Sequence, residues 1–586
     1  MLLQLAQLPL LAALALAAPY KRATTTDGAS VAAQSFDYVI AGGGLTGVVV
    51  ARRLAEANHR VLLVEAGGDE EGNSLVTDAS KYTQSFDSAI DWAFNTVPQP
   101  QGGGKSMKIR AGKGLGGSTL INGMAWTKPH TFQLDDLETL GNAGLNWDTL
   151  APLMRSVETY HPPSSEQQAA GLTFDTSCHG TSGPIGVNIN PGVPVAFEKV
   201  FNNTGASLGP YARDLSCGNP AILGPVAHNQ VNNRRSDAYQ GYLWQKDFPS
   251  LTILTNAVVG KVTFSGTRAT GVEFRDQSGT TRTVSAVKEV LLAAGSIRTP
   301  VLLQHSGIGP RAFLESAGVN VLVDLPAGQN LIDQTTSTTS FQFTGGAAGG
   351  GQSILFPRFQ DIAGGDSSRL SGLLQANLDK WAQEAVDAGA SGSKEGLKKV
   401  MTLQRDWILN DGAAVGEAFD WTGGDSVNYD TWFLLPFGRG FVRISSNDPY
   451  SNAFTVDPRF FTNEFDRLAT AATLRYTRTY SRTQPLAGII TNEWKPGSNT
   501  GDSLEDWLNF ARNDYRSNWH PIGTCAMQPR ADGGVVDANH RVYGTQGLRV
   551  LDASVLPFQV SSHLMTVLYG LAERAAEVIK KDACAV

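Results

Sequence analysis

Four closely spaced glycines constrain the fold more than any other feature of this sequence. In "YVIAGGGLTGVVVARRL", residues 38–54, Gly42, Gly43, Gly44 and Gly47 stand where an apolar strand passes into a helix. Glycine at such a place costs backbone entropy and contributes no side-chain packing. The pattern therefore indicates that another group must approach the main chain closely at this turn.

The sequence around these glycines predicts a dinucleotide site. Residues 36–41 read as a short buried strand, 45–57 as a helix and 60–65 as the next strand, which ends on Glu65. In such a unit a pyrophosphate binds at the amino end of the helix, and a carboxylate after the second strand accepts from ribose hydroxyls. The G-x-G-x-x-G pattern in this context indicates an ADP-containing cofactor, but it does not separate NAD from FAD.

Three later segments carry related patterns. "GKGLGGSTLINGMAW", residues 112–126, is rich in glycine and hydroxyl residues, and such a loop can surround a phosphorylated ligand with backbone donors. "VLLAAGSIRTPVLLQHSGIG", residues 290–309, reads as a strand, a helix and a glycine turn. Near the end of the chain, Asp552-Ala553-Ser554 follows the strand-like "LRVL" and precedes a long helical segment.

These segments resemble the signatures of the GMC (glucose–methanol–choline) oxidoreductases. Residues 112–126 are similar to the first signature of that family and 295–309 to the second, and the resemblance extends over about 36–581. It implies FAD, bound non-covalently in most members, and no metal site is expected. By this resemblance the residues that contact the cofactor are Gly42, Gly44, Leu45, Thr46, Gly47, Glu65, Gly112, Gly116, Ser118, Asn122, Gly123, Gly295, Asp552 and Ala553.

Oxidation of an alcohol requires a base, and two histidines are candidates. The reaction removes a hydroxyl proton and a carbon-bound hydride, so the protein must supply a proton acceptor beside the flavin. His520 lies in "YRSNWHPIGTCAM" and His563 in "FQVSSHLMTVLYG", and either one alone is more often a structural histidine. As a pair they resemble the catalytic histidines of the family, with His520 as the main base and His563 orienting the substrate hydroxyl. Glu417, in "AAVGEAFDW", matches the acid that hydrogen-bonds the second histidine, although alone it reads as a solvated loop residue.

The residues before His520 favour a sugar as substrate. Arg516 and Asn518 precede it by four and two residues, so an extended segment would direct all three side chains to one side. In the glucose-oxidising members of the family, the matching arginine and asparagine bind sugar hydroxyls. The aromatic residues that match the lining of that pocket, and that could equally be core residues, are Tyr82, Phe419 and Trp432.

The sequence combines features of glucose oxidases and of FAD-dependent glucose dehydrogenases. Phe419, two residues after Glu417, and "QVSSH" resemble the oxidases, whereas "NGMAW", "NWHPIGT", "SSNDP" and "DASVLPFQV" resemble the dehydrogenases. Ala125 stands where oxidases tend to carry a hydroxyl residue beside the flavin. We predict oxidation of β-D-glucose at C1 to the lactone, with electrons passing to quinone-like acceptors. The alternatives are a glucose oxidase that uses O₂, an oxidoreductase of another alcohol such as an aryl alcohol, and a lyase on a retained flavin scaffold.

Charge and the N-terminal segment bear on partners and compartment. The formal net charge is −7 and no basic run is interleaved with aromatic residues, which argues against nucleic acid as a partner. Residues 1–18 resemble a secretory signal peptide that lacks a basic start, and no later segment is apolar over the length of a membrane span. We expect a secreted, extracellular monomer or homodimer that binds a small sugar and no membrane.

The cysteines and one sequon fit an oxidising compartment. Cys178 and Cys217 lie in loop-like sequence that suits a disulfide, although spacing alone does not assign pairs among them and Cys525 and Cys584. A bridge between the first two would also resemble the oxidases. Asn202 begins the sequon Asn-Asn-Thr, whose use would place that segment in an exposed loop.

The expected fold class is α/β with an α+β second lobe. A chain of 586 residues exceeds one ordinary core, and the resemblance implies a Rossmann-like FAD-binding domain interleaved with an antiparallel-sheet substrate domain. The expected boundaries are 1–18 for the signal peptide, 19–35 for a propeptide or N-terminal extension, 36–150, 251–335 and 520–586 for the FAD-binding parts, and 151–250 and 336–519 for the substrate parts.

Overall fold

The computed structural model describes residues 23–189, 196–220, 222–345 and 353–584. Two large β-sheets dominate these residues, and smaller sheets and helices lie around them. The predicted signal peptide, 1–18, lies outside the described residues. The predicted extension is described from residue 23 onward, and it contributes the short strand Ala23–Thr25 to the first large sheet.

The first large sheet has eight strands and is mostly parallel. Its strands in spatial order are Ala23–Thr25, Leu251–Leu254, Val61–Val64, Ser35–Ala41, Thr281–Leu292, Arg268–Arg275 and Val258–Ser265, with Leu548–Val550 also beside Thr281–Leu292. Arg268–Arg275 pairs antiparallel with both Thr281–Leu292 and Val258–Ser265, and the other pairs of this sheet are parallel. Val61–Val64 is apolar and buried throughout, as is usual for a strand inside a parallel sheet. The predicted strand–helix–strand unit at the glycines is confirmed as Ser35–Ala41, Leu45–Glu56 and Val61–Val64.

The second large sheet has seven strands and is antiparallel. Its strands in spatial order are Ile490–Lys495, Thr335–Phe343, Ser426–Phe433, Gly416–Gly423, Ser353–Leu355 and Leu223–Pro225, with Arg516–Ser517 also beside Thr335–Phe343. Helix Glu464–Ser481 packs against it. The antiparallel sheet expected of the second lobe is therefore present.

Smaller sheets complete the described strands. A four-stranded sheet has the order Ala125–Trp126, Ala227–His228, Ile185–Ile189 and Glu158–His161, and a three-stranded sheet the order Gln329–Leu331, Gly440–Ile444 and Phe454–Asp457. Two-residue strands pair as Phe94–Asn95 with Lys108–Ile109, Gln230–Val231 with Arg234–Arg235, and Ile308–Gly309 with Val323–Asp324.

The α-helices of the described residues are mostly amphipathic and cover the sheets. Their bounds are Gly28–Ala32, Leu45–Glu56, Ser74–Thr77, Thr131–Thr139, Trp147–Ser156, Ser165–Ala169, Ala196–Leu208, Ala238–Tyr242, Gly295–His305, Arg311–Ser316, Phe359–Ala363, Ser367–Ala376, Leu378–Asp387, Lys394–Leu409, Glu464–Ser481, Leu504–Asp514 and Met565–Cys584. Within the described ranges, no helix combines the length and the apolar character that a bilayer span requires.

The C-terminal helix is fixed against the helix that follows the glycines. Met565–Cys584 packs on Leu45–Glu56, and Arg53 donates two hydrogen bonds, at 2.7 and 2.8 Å, to the carboxylate of Glu573. The hydroxyl of Tyr242 donates to the same carboxylate at 2.8 Å. These contacts join the last turn of the first helix to the middle of the C-terminal helix.

Candidate active site

The first glycine turn leaves room at the amino end of helix Leu45–Glu56. Gly42 has φ +108°, and a Cβ there would lie 2.4 Å from the carbonyl oxygen of Ala293. A Cβ on Gly47 would lie 2.1 Å from the carbonyl oxygen of Gly42, so this glycine allows the helix to pack on the strand. At Gly44, by contrast, the nearest atom to a Cβ would be 3.6 Å away. The turn is therefore crowded on the protein side and open where the free N–H groups of the helix point.

Glu65 is held by the same turn. Its Oε2 accepts from the backbone N–H of Gly43 at 2.7 Å, and its Oε1 accepts from that of Gly67 at 2.8 Å. Burial raises the pKa of Glu65, and these backbone donors oppose that shift. The carboxylate lines a cavity at the end of strand Val61–Val64, where a ribose would lie in the predicted cofactor geometry.

The second glycine segment packs directly on the first. The N–H of Gly116 donates to the carbonyl of Gly43 at 2.8 Å, and a Cβ on Gly117 would lie 2.7 Å from the Cα of Gly44. Ser118 accepts from the N–H of Gly112 at 3.2 Å. The two glycine-rich segments thus approach each other more closely than side chains would allow.

A buried arginine that the sequence analysis did not identify supports this segment. Arg235 donates to the side-chain oxygen of Asn122 at 2.7 Å and to the backbone carbonyls of Asn122, Thr119 and Val76. Burial lowers its pKa to about 10, so it remains a cation at neutral pH. Nothing in the local sequence around Arg235 signals this role, because its partners lie more than 100 residues earlier in the chain.

Asp552 connects the C-terminal segment to helix Gly295–His305. Its Oδ2 accepts from the N–H of Gly295 at 2.9 Å and from the hydroxyl of Thr299 at 2.5 Å. Gly295 has φ +82°, and a Cβ there would meet no atom within 4 Å. Ala553 follows at the cavity wall, and the amino end of helix Met565–Cys584 also faces the cavity.

A cavity of about 940 Å³ joins the glycine turns to the two candidate histidines. Ligand sites commonly have volumes of about 300–1,000 Å³, so this cavity can hold a dinucleotide together with a small substrate. The open space at Gly44 and Gly295 is where pyrophosphate oxygens would meet helix N–H groups, so the residues present fit FAD. The predicted cofactor residues that line the cavity are Gly42, Gly44, Leu45, Thr46, Glu65, Gly112, Ser118, Asn122, Gly123, Gly295, Asp552 and Ala553. Gly47 and Gly116 do not line it and instead allow the close packing described above.

One face of the seven-stranded sheet supplies the other end of the cavity. Along strand Gly416–Gly423 alternate side chains share a face, and Glu417 and Phe419 both lie on the face toward the histidines. On the neighbouring strand Trp432 pairs with Glu417 and Asp430 with Phe419. Phe419, Asp430 and Trp432 all line the cavity. Glu417 is therefore a buried strand residue and not the loop acid that its local sequence suggests.

His563 is bound to Glu417. The Nε2 of His563 is 2.8 Å from Oε1 of Glu417, and the ring lies edge-on to Trp432 with centroids 6.0 Å apart. Glu417 is 0% exposed, and burial raises its pKa while the charge of His563 opposes that shift. A carboxylate accepting at Nε2 fixes the ring orientation.

His520 lies across from His563, with ring centroids 5.3 Å apart and the planes perpendicular. Its Nδ1 is 3.0 Å from both the Asn518 side-chain nitrogen and the Gln334 side-chain oxygen. Burial, followed by the charges of His563 and Arg516, lowers the pKa of His520 to about 3. The imidazole is therefore neutral throughout the physiological pH range and able to accept a proton.

The predicted sugar-binding residues also meet at this end. Arg516, Asn518 and His520 all line the cavity, but Trp519 does so too, and its φ of +62° interrupts the extended segment that the even spacing assumes. Arg516 pairs with Asp430 at 2.9 Å, and its guanidinium lies 4.5 Å from the ring centroid of Trp519. Tyr82 lines the cavity as well, with its ring over Gly123 and its edge toward Phe86.

A third histidine in the cavity was not predicted from the sequence. His228 lines the wall beside Phe419, with ring centroids 6.4 Å apart. Its Nδ1 is buried and has no hydrogen-bond partner among the described residues. Burial and the charge of His563 lower its pKa to about 4, so it is neutral at physiological pH. The surrounding "VAHNQ" resembles no motif, and only strand pairing with Ala125 brings it to the site.

The remaining predicted sites lie away from the cavity. A disulfide joins Cys178 and Cys217, so the predicted bridge is present. Asn202 lies within helix Ala196–Leu208, not in a loop, and its side-chain oxygen accepts from the hydroxyl of Ser353 at 2.7 Å. Thr204, the third residue of the sequon, is buried.

Comparison with known proteins places this arrangement in a family. The profile described as GMC oxidoreductase matches residues 36–336 with its N-terminal part and 436–572 with its C-terminal part. Glucose oxidase 2 of Penicillium expansum is 41% identical over 580 residues, which cover 95% of this chain and 94% of that protein. The glucose oxidase of Aspergillus carbonarius is 40% identical over 577 residues, with the same coverage.

A solved structure agrees with these matches. An FAD-dependent oxidoreductase from Chaetomium thermophilum, in complex with a small fragment, has a TM-score of 0.88 at 29% identity and covers 94% of this chain and all of that one. The fold class, FAD as cofactor and action on alcohol donors follow from these matches together. The chain belongs to the GMC oxidoreductase family.

Proposed function

We propose that this enzyme oxidises β-D-glucose at C1 to glucono-1,5-lactone. The observation that carries the proposal is the pair of imidazoles, His520 and His563, at the end of the cavity opposite the cofactor turns. A substrate hydroxyl between them would meet one neutral ring and one ring bound to a carboxylate. The similarity to glucose oxidases over almost the whole chain supports glucose as the alcohol.

The chain's own groups divide the proton chemistry between them. Bound FAD supplies a two-electron acceptor for the hydride that leaves the carbinol carbon. His520 takes the hydroxyl proton, because its low pKa keeps it unprotonated and its ring opens on the cavity. His563, held by Glu417 through Nε2, orients the same hydroxyl through its other ring nitrogen.

The polar lining favours a sugar over an aryl alcohol. Arg516, Asp430 and His228 present hydrogen-bonding groups to the cavity, and Trp432 offers an apolar wall. A polyhydroxylated ring can use such groups, and loss of one buried pairing commonly costs about 1–3 kcal/mol. A planar aromatic alcohol has no use for the cation at Arg516. Replacing Arg516 by alanine should therefore weaken glucose turnover, and unchanged turnover would favour the aryl alcohol.

The electron acceptor separates two candidates within this function. The names of the similar glucose oxidases favour O₂, and we propose O₂ as the first candidate. A quinone-like acceptor is the second candidate, because Ala125, which lines the cavity, carries no hydroxyl where oxidases tend to have one. The chain thus carries no hydroxyl at this position of the cavity wall.

Two measurements test the proposal in sequence. Anaerobic addition of glucose to the yellow holoenzyme should bleach the flavin, and a flavin that stays oxidised with every alcohol tried would support the lyase alternative. Stopped-flow reoxidation of the glucose-reduced enzyme by dissolved O₂ and by benzoquinone then distinguishes oxidase from dehydrogenase. Faster reoxidation by the quinone would reject O₂ as the preferred acceptor.

The compartment is a separate proposal. The predicted signal peptide at 1–18 and the disulfide between Cys178 and Cys217 support secretion. Mass spectrometry of the culture medium should find the protein without residues 1–18. Retention of these residues on an intracellular protein would refute secretion.

A further inference from the structure

The buried amide of Gln334 faces Nδ1 of His520. Gln334 is 2% exposed and does not line the cavity. Its side-chain nitrogen donates to the backbone carbonyl of Leu434 at 2.7 Å. Because that carbonyl can only accept, the nitrogen of the amide must face Leu434 and the oxygen must face His520.

The amide oxygen of Gln334 then stands 3.0 Å from Nδ1 of His520. An unprotonated Nδ1 would direct a lone pair at another acceptor, whereas a protonated Nδ1 donates to it. The backbone of His520 is fixed on both sides, since its N–H donates to Asp333 at 3.0 Å and its carbonyl accepts from Gln559 at 2.7 Å.

Asn518 is the competing partner of Nδ1. Its side-chain nitrogen lies 3.0 Å from Nδ1 and 2.9 Å from the oxygen of Gln334. Its side-chain oxygen accepts from the hydroxyl of Thr336 at 2.6 Å, and the acceptor oxygen of Gln334 requires the amide nitrogen on the opposite side. The Asn518 nitrogen, the Gln334 oxygen and Nδ1 form a triangle with sides of 2.9, 3.0 and 3.0 Å, so the two N–H bonds of the Asn518 amide, which diverge by about 120°, cannot both point directly at the other two corners. With one N–H directed at the oxygen of Gln334, the second points away from Nδ1, and Nδ1 can donate to that same oxygen.

We propose that Gln334 is a positioning residue that holds neutral His520 as the Nδ1–H tautomer, so that Nε2 presents its lone pair to the substrate hydroxyl. Without Gln334 the partner left for Nδ1 is a donor, and the proton would move to Nε2. A protonated Nε2 in the neutral ring can donate to the substrate but cannot remove its proton. This inference rests on the proposed function, in which His520 is the base.

The test uses anaerobic stopped-flow reduction of the FAD-loaded enzyme by glucose. Gln334→Leu should lower the limiting rate of flavin reduction by about a hundredfold or more, because it removes the contribution of a positioned base. The dissociation constant for glucose should change less than threefold, and the FAD content and flavin spectrum should be unchanged. A reduction rate within twofold of wild type would overturn the proposal.

A rescue variant separates the tautomer from a merely structural effect. In the double variant Gln334→Leu with Asn518→Asp, the donor that remains beside Nδ1 becomes an acceptor, so the Nδ1–H tautomer should return. We expect reduction at least tenfold faster than in Gln334→Leu alone. A double variant no faster than the single one would contradict the proposal.

Two further measurements keep the outcome interpretable. If Gln334→Leu fails to bind FAD, the tautomer can be read directly by ¹⁵N NMR of the wild-type holoenzyme with labelled histidine, and His520→Gln assigns the signals of His520. The spectrum should show Nδ1 protonated and Nε2 unprotonated. The reverse would overturn the proposal. His520→Ala tests the proposed function itself. Flavin reduction at the wild-type rate in that variant would refute His520 as the base. If reduction is slow in His520→Ala but normal in Gln334→Leu, only the proposed role of Gln334 is refuted.

Discussion

Replacing Glu417 by glutamine removes a buried charge from the site and keeps the shape of the side chain. Glu417 is 0% exposed, its Oε1 accepts from His563, and its Oε2 has no partner among the described residues. Glutamine can still accept from Nε2 of His563, so the ring keeps its orientation. It can no longer provide the charged acceptor that a carboxylate does.

The expected loss follows from the kind of hydrogen bond that changes. A hydrogen bond to a charged group contributes about 1.5–3 kcal/mol and one between neutral groups about 0.5–1.5 kcal/mol. A difference of about 1–2 kcal/mol corresponds to a reduction rate about 5- to 30-fold lower. Burial raises the pKa of Glu417, so its carboxylate takes up a proton at a higher pH than an exposed one. The difference between wild type and Glu417→Gln should therefore narrow as the pH falls.

The assay is anaerobic reduction of the flavin by glucose, followed by absorbance across a range of pH. Asp420→Asn is the matched control, because Asp420 is a fully buried acid on the same strand that does not line the cavity. The control should reduce at the wild-type rate. Equal rates for wild type and Glu417→Gln, or an equal loss in the control, would refute the reasoning.

Three other changes give distinct signatures. Glu65→Ala should lower the FAD content of the purified enzyme without changing the reduction rate per bound flavin; normal FAD content would remove the role assigned to this carboxylate. Gly44→Ala should fold, since its Cβ would meet only one atom within 4 Å. It should bind FAD at least about tenfold more weakly, because the new methyl group fills the space at the amino end of the helix. Titration of the apoprotein with FAD measures this affinity, and an affinity equal to that of wild type would contradict the prediction. Asp420 lies beside a second buried acid, Glu198, and burial raises the pKa of Asp420 to about 7. In the folded state Asp420 therefore keeps its proton up to about pH 7, whereas in the unfolded chain it loses the proton above about pH 4. Stability should thus fall as the pH rises from about 4 to 7, and the melting temperature of Asp420→Asn relative to wild type should rise over this interval; a constant difference would be the contrary result.

The cofactor end of the site could be predicted from the sequence because its determinants are local. The strand, the turn with Gly42 and Gly44, the helix and Glu65 lie within 30 residues, and each obeys a short-range rule of backbone conformation or capping. The roles of the individual glycines could not be predicted from the sequence. Gly47 and Gly116 have the same signature as their neighbours, yet they serve packing between segments, which only the assembled turn reveals.

The substrate end depends on pairing between distant strands. His520 and Gln334 are 186 residues apart, and they meet because Arg516–Ser517 pairs with the start of Thr335–Phe343. The sequence carries no periodic signal for such a contact, so only the family resemblance could identify His520 and Glu417. His228 and Gln334 match nothing in that resemblance and became visible only in the folded chain.

The most direct test of the account is the rate at which glucose reduces the flavin of His520→Ala under anaerobic conditions. If the imidazole at position 520 accepts the hydroxyl proton, the limiting rate should fall at least about a hundredfold while the FAD content stays normal. Reduction close to the wild-type rate would mean that another group takes the proton, and the central claim would then be wrong.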